Sequence, residues 1–228
     1  MLLQIEGPPG EVVAGQSGAF TLSMVDQDGQ PVIAEEDVVV LADSNSEVVF
    51  VNPVTGAEEA GTRAFVIKAG TSNVTFSAYS YTANTYVVTG NGPLGSNASA
   101  TSTGFVVVPD VPAEIIVDGL DEPIEPGDVS DPIVVEIHDK HGNPSPPDVP
   151  VEIEITFDSE TGGLATNPED PFDKVKIRVP VPSEGTEIQF YLRDEQIGTP
   201  TLTFSTIPDI GVPPRQQTGE YCPDFRGQ

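Results

Sequence analysis

The chain has no tryptophan, one cysteine, two histidines and nine basic residues in 228. Each shortage closes off a class of explanation. A single cysteine, Cys222, excludes an internal disulfide, so the core must hold the fold; the thiol is expected free, with a bond between chains as the alternative. The two histidines, His138 and His141, fall on an outward strand position and in a turn. Neither comes with a paired base or nucleophile, so neither reads as catalytic or zinc-binding. No apolar run reaches the ~18 residues of a membrane-spanning helix. Met1 to Glu6 lacks a basic flank and a long apolar stretch, so it does not read as a secretory signal. The sequence is expected to be a mature form or a segment of something longer. No window of ~10–15 residues keeps a 3.6-residue apolar period without Gly or Pro breaking it, which excludes helices and the phosphate loops that depend on them.

Acid is what the chain has in quantity. Its 36 Asp and Glu residues against nine Lys and Arg give −27. Residues 1–110 hold 12 acids and two bases, a net −10, and the remainder carries −17. The acids are dispersed rather than gathered in a tail. Such a surface repels nucleic acid and anionic lipid, so neither a nucleic-acid partner nor membrane insertion is expected. It attracts divalent cations and stays soluble in high salt. Gly 22 and Pro 23 make up about a fifth of the chain, below the level of a disordered polymer, and Val, Ile and Thr favour strands.

The most informative stretch is Ile133 to Pro144. Ile133, Val135 and Ile137 share one face at period two, and Asp139-Lys140-His141-Gly142-Asn143-Pro144 supplies turn residues. The same design occurs at Phe20 to Val25, followed by Asp26-Gln27-Asp28-Gly29-Gln30-Pro31. Both turns fit Asp-x-x-Gly-(Asn or Gln)-Pro at an offset of 113 residues. Gly15 matches Gly127, Val38 to Leu41 matches Val151 to Ile155, and Phe76 matches Phe190, with offsets held between 112 and 115. One module is written twice. Strands are expected at Leu3 to Ile5, Ala19 to Val25, Val38 to Leu41, Val48 to Val51, Thr62 to Ile67, Val74 to Ala78, Thr85 to Thr89 and Ala98 to Val108, and again in the second copy. Val38 to Leu41, a continuous apolar run, reads as a fully buried strand. About seven short strands in ~105 residues predict an Ig-like β-sandwich.

The second copy, with Asp-Lys-His-Gly-Asn-Pro, then Gly185-Thr186 leading to Phe190-Tyr191-Leu192-Arg193-Asp194, then Gly198-Thr199-Pro200-Thr201-Leu202-Thr203, resembles the bacterial Ig-like repeats of invasin- and intimin-type adhesins and of surface-layer proteins. The resemblance covers residues 113–206 well and 3–108 more loosely. It implies tandem sandwiches serving as stalks, spacers, lattice units or ligand readers, and brings no catalytic residues.

The fold class expected is therefore all-β: two tandem Ig-like sandwiches, residues 1–110 and 111–213, joined by the stiff connector Pro109-Asp110-Val111-Pro112, with a tail at 214–228. Pro208, Pro213 and Pro214 oppose a last strand in the second copy, which would leave an edge for a strand of another chain. The alternative is a weak strand within Gln216 to Tyr221. Calcium is the one cofactor with candidate ligands: Asp110, Asp118 and Asp121 bracketing the connector, and Asp26 with Asp28 in the first turn, where Pro31 breaks the EF-hand pattern. Asn73-Val74-Thr75 and Asn97-Ala98-Ser99 fit the N-glycosylation acceptor pattern. The sequence reads as a non-enzymatic extracellular structural protein, a subunit of a cell-surface filament, surface layer or adhesin stalk that self-associates. The alternative is a carbohydrate- or receptor-binding module with Tyr79, Tyr81 and Tyr86 as an aromatic platform.

Overall fold

A computed structural model of the chain describes residues 2–92, 99–101, 104–120, 122–183 and 185–220. Every regular element among them is a strand. The chain divides into two units, residues 1–109 and 110–228.

The first unit holds β1 (Leu2–Glu6), β2 (Val12–Val13), β3 (Gly18–Val25), β4 (Val38–Asp43), β5 (Val49–Val51), β6 (Glu58–Ala60), β7 (Thr62–Ile67), β8 (Asn73–Tyr79), β9 (Asn84–Tyr86), β10 (Thr89–Asn91), β11 (Ser99–Thr101) and β12 (Phe105–Val108). One sheet runs β1-β3-β8-β5-β6 and the other β11-β10-β4-β7. β12 lies between β2, which it pairs in parallel, and β9, antiparallel. The period-two pattern does its work in β3: Phe20, Leu22 and Met24 are buried, while Thr21 and Ser23 are half-exposed. The core is aromatic. Phe76 stacks on Phe65 at 4.3 Å between ring centres and on Phe20 at 5.6 Å, and meets Phe50 edge-on at 5.8 Å.

The second unit holds β13 (Pro112–Asp118), β14 (Ile133–Asp139), β15 (Glu152–Phe157), β16 (Gly163–Ala165), β17 (Lys176–Pro180), β18 (Glu187–Arg193), β19 (Thr201–Ile207) and β20 (Arg215–Thr218). Its sheets run β13-β14-β18-β16 and β17-β15-β19-β20. Eight strands follow the same order in both units: β1, β3, β8 and β5 answer β13, β14, β18 and β16, and β7, β4, β10 and β11 answer β17, β15, β19 and β20; β2, β6, β9 and β12 have no counterpart among the second unit's described strands. Here the core is mostly aliphatic, with Ile133, Val135, Ile137 and Ile155 around Phe190 and Phe204.

The structure decides between the two readings of the second unit's end and departs from the sequence reading at three further places. The last strand is present and overlaps the Gln216 to Tyr221 stretch: β20 pairs with β19 from Thr201↔Thr218 to Phe204↔Arg215. The prolines stand only in the approach, and the four residues after Pro214 are free to donate. Part of the 214–228 tail is therefore sheet. The first unit's final stretch is two short strands in different sheets, β11 and β12, and Thr85 to Thr89 is likewise divided between β9 and β10. Finally, β4 is not buried on both faces. Val40 and Ala42 point inward, Val39 is 51% exposed and Leu41 is half-exposed.

Candidate functional site

The repeated turn is built the same way in both units. Asp26 Oδ1 accepts the amides of Asp28 (2.9 Å) and Gln30 (2.8 Å); Asp139 Oδ1 accepts those of His141 (2.8 Å) and Asn143 (2.9 Å). A carboxylate that folds the following backbone onto itself explains why Asp opens both motifs. The glycine in each lies at positive φ, 77° for Gly29 and 84° for Gly142, which a side chain would oppose.

Asp139 does more. It is fully buried, and its second oxygen accepts the Asp110 amide (2.8 Å) and the Asn143 side-chain amide (2.9 Å). Burial alone raises the pKa of its carboxyl. The bonds from the Asn143 side chain and the amides of Asn143, Asp110 and His141 outweigh that, and it lies below the ordinary carboxylate value. Asp110 is held three ways: by Asp139, by Ser145 Oγ donating to its carbonyl (2.6 Å), and by Lys140 Nζ at 2.7 Å from its carboxylate. The Lys140 ammonium keeps the Asp110 carboxyl below its usual range. Asp194, also buried, closes the turn after β18. It accepts from the Thr161 hydroxyl (2.6 Å) and the Gln196 amide (3.2 Å). Burial raises its pKa too, and the hydroxyls of Ser159 and Thr161 with the nearby amides bring it below the ordinary value.

Among the described residues the calcium candidates are not brought together. Asp110 precedes β13 and Asp118 ends it, and a seven-residue strand spans roughly 20 Å, so one ion does not reach both. Asp118 accepts the Gly119 amide (2.8 Å), and Asp28 is exposed. Asp121 and Asn97 lie outside the described residues. Among the described residues no three His, Cys, Asp or Glu side chains converge in a metal-holding group. Asn73 is exposed at the start of β8, with Thr75 exposed two residues on. His138 Nε2 pairs with Glu136 (2.9 Å), and the His141 amide is spent on the Asp139 turn.

The three tyrosines do not form a platform. Tyr79 and Tyr86 are buried and only Tyr81 is exposed, its ring edge-on to Tyr79 at 5.2 Å. The Tyr86 hydroxyl faces the Thr82 carbonyl (2.8 Å), the Glu47 carboxylate (3.1 Å) and Ser80 Oγ (3.0 Å). A tyrosine bonded to backbone four residues upstream, at the corner between the sheets, is a tyrosine corner.

Each unit carries a cleft at the open edge of one sheet. In the first it lies between β7 and the turn after β5, about 500 Å³, with Val54, Ala64, Val66 and Val74 in its lining. In the second it lies between β17 and the loop after β16, about 590 Å³, and takes in Asp170, Asp173, Lys174, Lys176 and Arg178. The positions correspond and the chemistry does not: the first cleft is mostly apolar, with Lys68 and Asn73 also in its lining, and the second is charged. Lys176 and Arg178 both reach Glu154 at 2.9 Å. Sequence reasoning missed both clefts, because their chemistry lies in residues pointing away from the core.

No family model matches the chain, and no curated protein matches it. Among solved structures it is similar to invasin, a bacterial integrin-binding protein (16% identity, TM-score 0.41), covering 98% of this chain but only 40% of invasin. It is also similar to domains 4 and 5 of the S-layer protein SbsC (16% identity, TM-score 0.36, 98% of each chain). A β-glycosidase from Bacteroides vulgatus is similar over 96% of this chain and 24% of its own (15% identity, TM-score 0.38). Likeness at this level, shared by adhesin, lattice protein and enzyme, decides nothing about activity.

Proposed function

We propose that the chain is a non-enzymatic, extracellular structural protein, a load-bearing or lattice-forming segment of a cell-surface filament, surface layer or adhesin stalk. The observation that carries this is the repetition itself. Eight strands in the same order and the same Asp-organised turn occur twice in tandem, at an offset of 112 to 115 residues, around two different cores. Repeating a fold lengthens a chain by a fixed step and keeps each step independently folded. The dispersed acidic surface suits exposure to salt and solvent. The test is to label intact cells of the source organism with an antibody to the chain and view them by electron microscopy. Label on exterior filaments, lattice or stalks is expected. Label appearing only after the cells are opened would overturn the reading.

A further inference from the structure

The cleft of the first unit contains a modification motif that its twin lacks. Asn73 lines this cleft and opens β8, just after the turn in which the Thr71 amide donates to the Lys68 carbonyl (3.0 Å). Asn73-Val74-Thr75 is the acceptor pattern for an N-linked sugar, an asparagine amide with a hydroxyl two residues on. A strand puts such a pair on one face. Asn73 and Thr75 are both exposed, so amide and hydroxyl stand on the same open face of the folded unit.

The duplication gives the control. Phe76 answers Phe190, so Asn73 answers Glu187 and Thr75 answers Gln189. The strand pairings agree: Ser23↔Asn73 in the first unit is Glu136↔Glu187 in the second. The second unit has neither acceptor nor hydroxyl at this place, and Glu187 accepts the Gln189 side-chain amide (3.0 Å). Its charged cleft is well served by water. The first unit's cleft is mostly apolar, with Val54 90% exposed and Val66 and Val74 beside it. Open apolar surface of this kind calls for a cover. The acceptor occurs in the copy whose cleft lacks one.

We infer that Asn73 carries an N-linked glycan whose first sugars lie over this cleft. A pyranose suits the lining: its C–H faces cover the valines, and its hydroxyls reach Lys68 and water at the rim. The tether selects the occupant, because a sugar bonded to Asn73 is held at the cleft at a high effective concentration. In the transfer, Asn73 Nδ2 forms a bond to the anomeric carbon of a phosphate-linked sugar donor. The bond from that carbon to the phosphate oxygen breaks, the phosphate leaves with its electron pair, and Nδ2 gives up one proton to solvent. The glycan adds solvated bulk to the outer surface. The inference rests on the extracellular reading, since this acceptor pattern serves secreted chains.

The test is mass spectrometry of the chain purified from its source cells and cut with chymotrypsin. The peptide from Val66 to Phe76 holds Asn73 and no other asparagine. It is expected to carry added mass in sugar units. Thr75→Ala, made in the source organism, is expected to lose that mass and Thr75→Ser to keep it; both changes fall on an exposed face that the fold tolerates. Hydrogen exchange in residues 52–57 is expected to be slower in the glycosylated chain than in Thr75→Ala. An unmodified peptide, or added mass that survives Thr75→Ala, overturns the inference, and added mass with unchanged exchange overturns the seating over the cleft. Exterior label on cells whose chain bears no glycan would remove this inference alone. A glycosylated chain found only inside opened cells would remove the surface role alone.

Discussion

Replacing Asp139 by alanine is expected to destabilise the second unit by about 3 kcal/mol or more and to leave the first unit's unfolding unchanged. Four N–H donors end on this carboxylate: the amides of Asp110, His141 and Asn143 and the Asn143 side chain. Alanine leaves all of them without an acceptor in a buried place, and each such loss costs about 1–3 kcal/mol before relaxation. Asp139→Asn keeps the shape and replaces acceptor capacity with an amide donor, so a smaller loss is expected. Hydrogen exchange read by mass spectrometry reports the two units separately. Loss of protection in β13 to β20 with β1 to β12 unchanged is the expected pattern.

The same chemistry sets an acid response. Asp139 and Asp194 both have folded pKa values below the ordinary 3.8. The stability they add is full above that value and is lost as pH falls through it towards the depressed folded values. The first unit has no buried carboxylate among its described residues. Protonating exposed acids relieves repulsion in both units, but only the second must protonate a buried network. Pepsin at pH 2–4 is therefore expected to cut the second unit first. Earlier cutting of the first unit would contradict the role given to the two aspartates.

Phe76→Ala is expected to cost the first unit about 3–5 kcal/mol, out of a total of about 5–15 for a domain of this size. Phe76 contacts Phe20, Phe50 and Phe65, so its removal opens a cavity that three rings cannot close together. Phe76→Leu refills part of the space and is expected to cost much less. Urea unfolding followed by circular dichroism should show the first unit's transition moving and the second's staying in place.

The architecture was legible where side chains alternate and turns are chemically marked. Ile133 to Asp139 and Phe20 to Val25 declared their inward faces at period two, and the Asp and Gly of each turn declared the bend. Short strands without that signal were hidden. β16 (Gly163–Ala165) lies in a stretch that reads as loop, yet an added Cβ at Gly163 would collide with the Phe172 carbonyl oxygen, so glycine is what lets that loop close over the strand. β20 was obscured by the prolines before it. The apolar run at Val38 to Leu41 misled for the opposite reason. Continuous hydrophobicity does not distinguish a strand buried twice from one whose outer face is kept apolar. The tyrosines looked like a platform because sequence proximity says nothing of which rings are inside.

Stretching the chain between its two ends in a single-molecule force measurement tests the account most directly. In the first unit, β2 near the start and β12 at the end are paired in parallel, Val12↔Val107 and Val13↔Val108, so tension shears these bonds together rather than peeling them one by one. Among the described residues the second unit shows only antiparallel pairings. Two separate unfolding events are expected, each releasing roughly 350–400 Å of chain at up to ~3.6 Å per residue, with the first unit yielding at the higher force. A single cooperative event, or a chain that extends without resistance, would contradict two independent load-bearing β units.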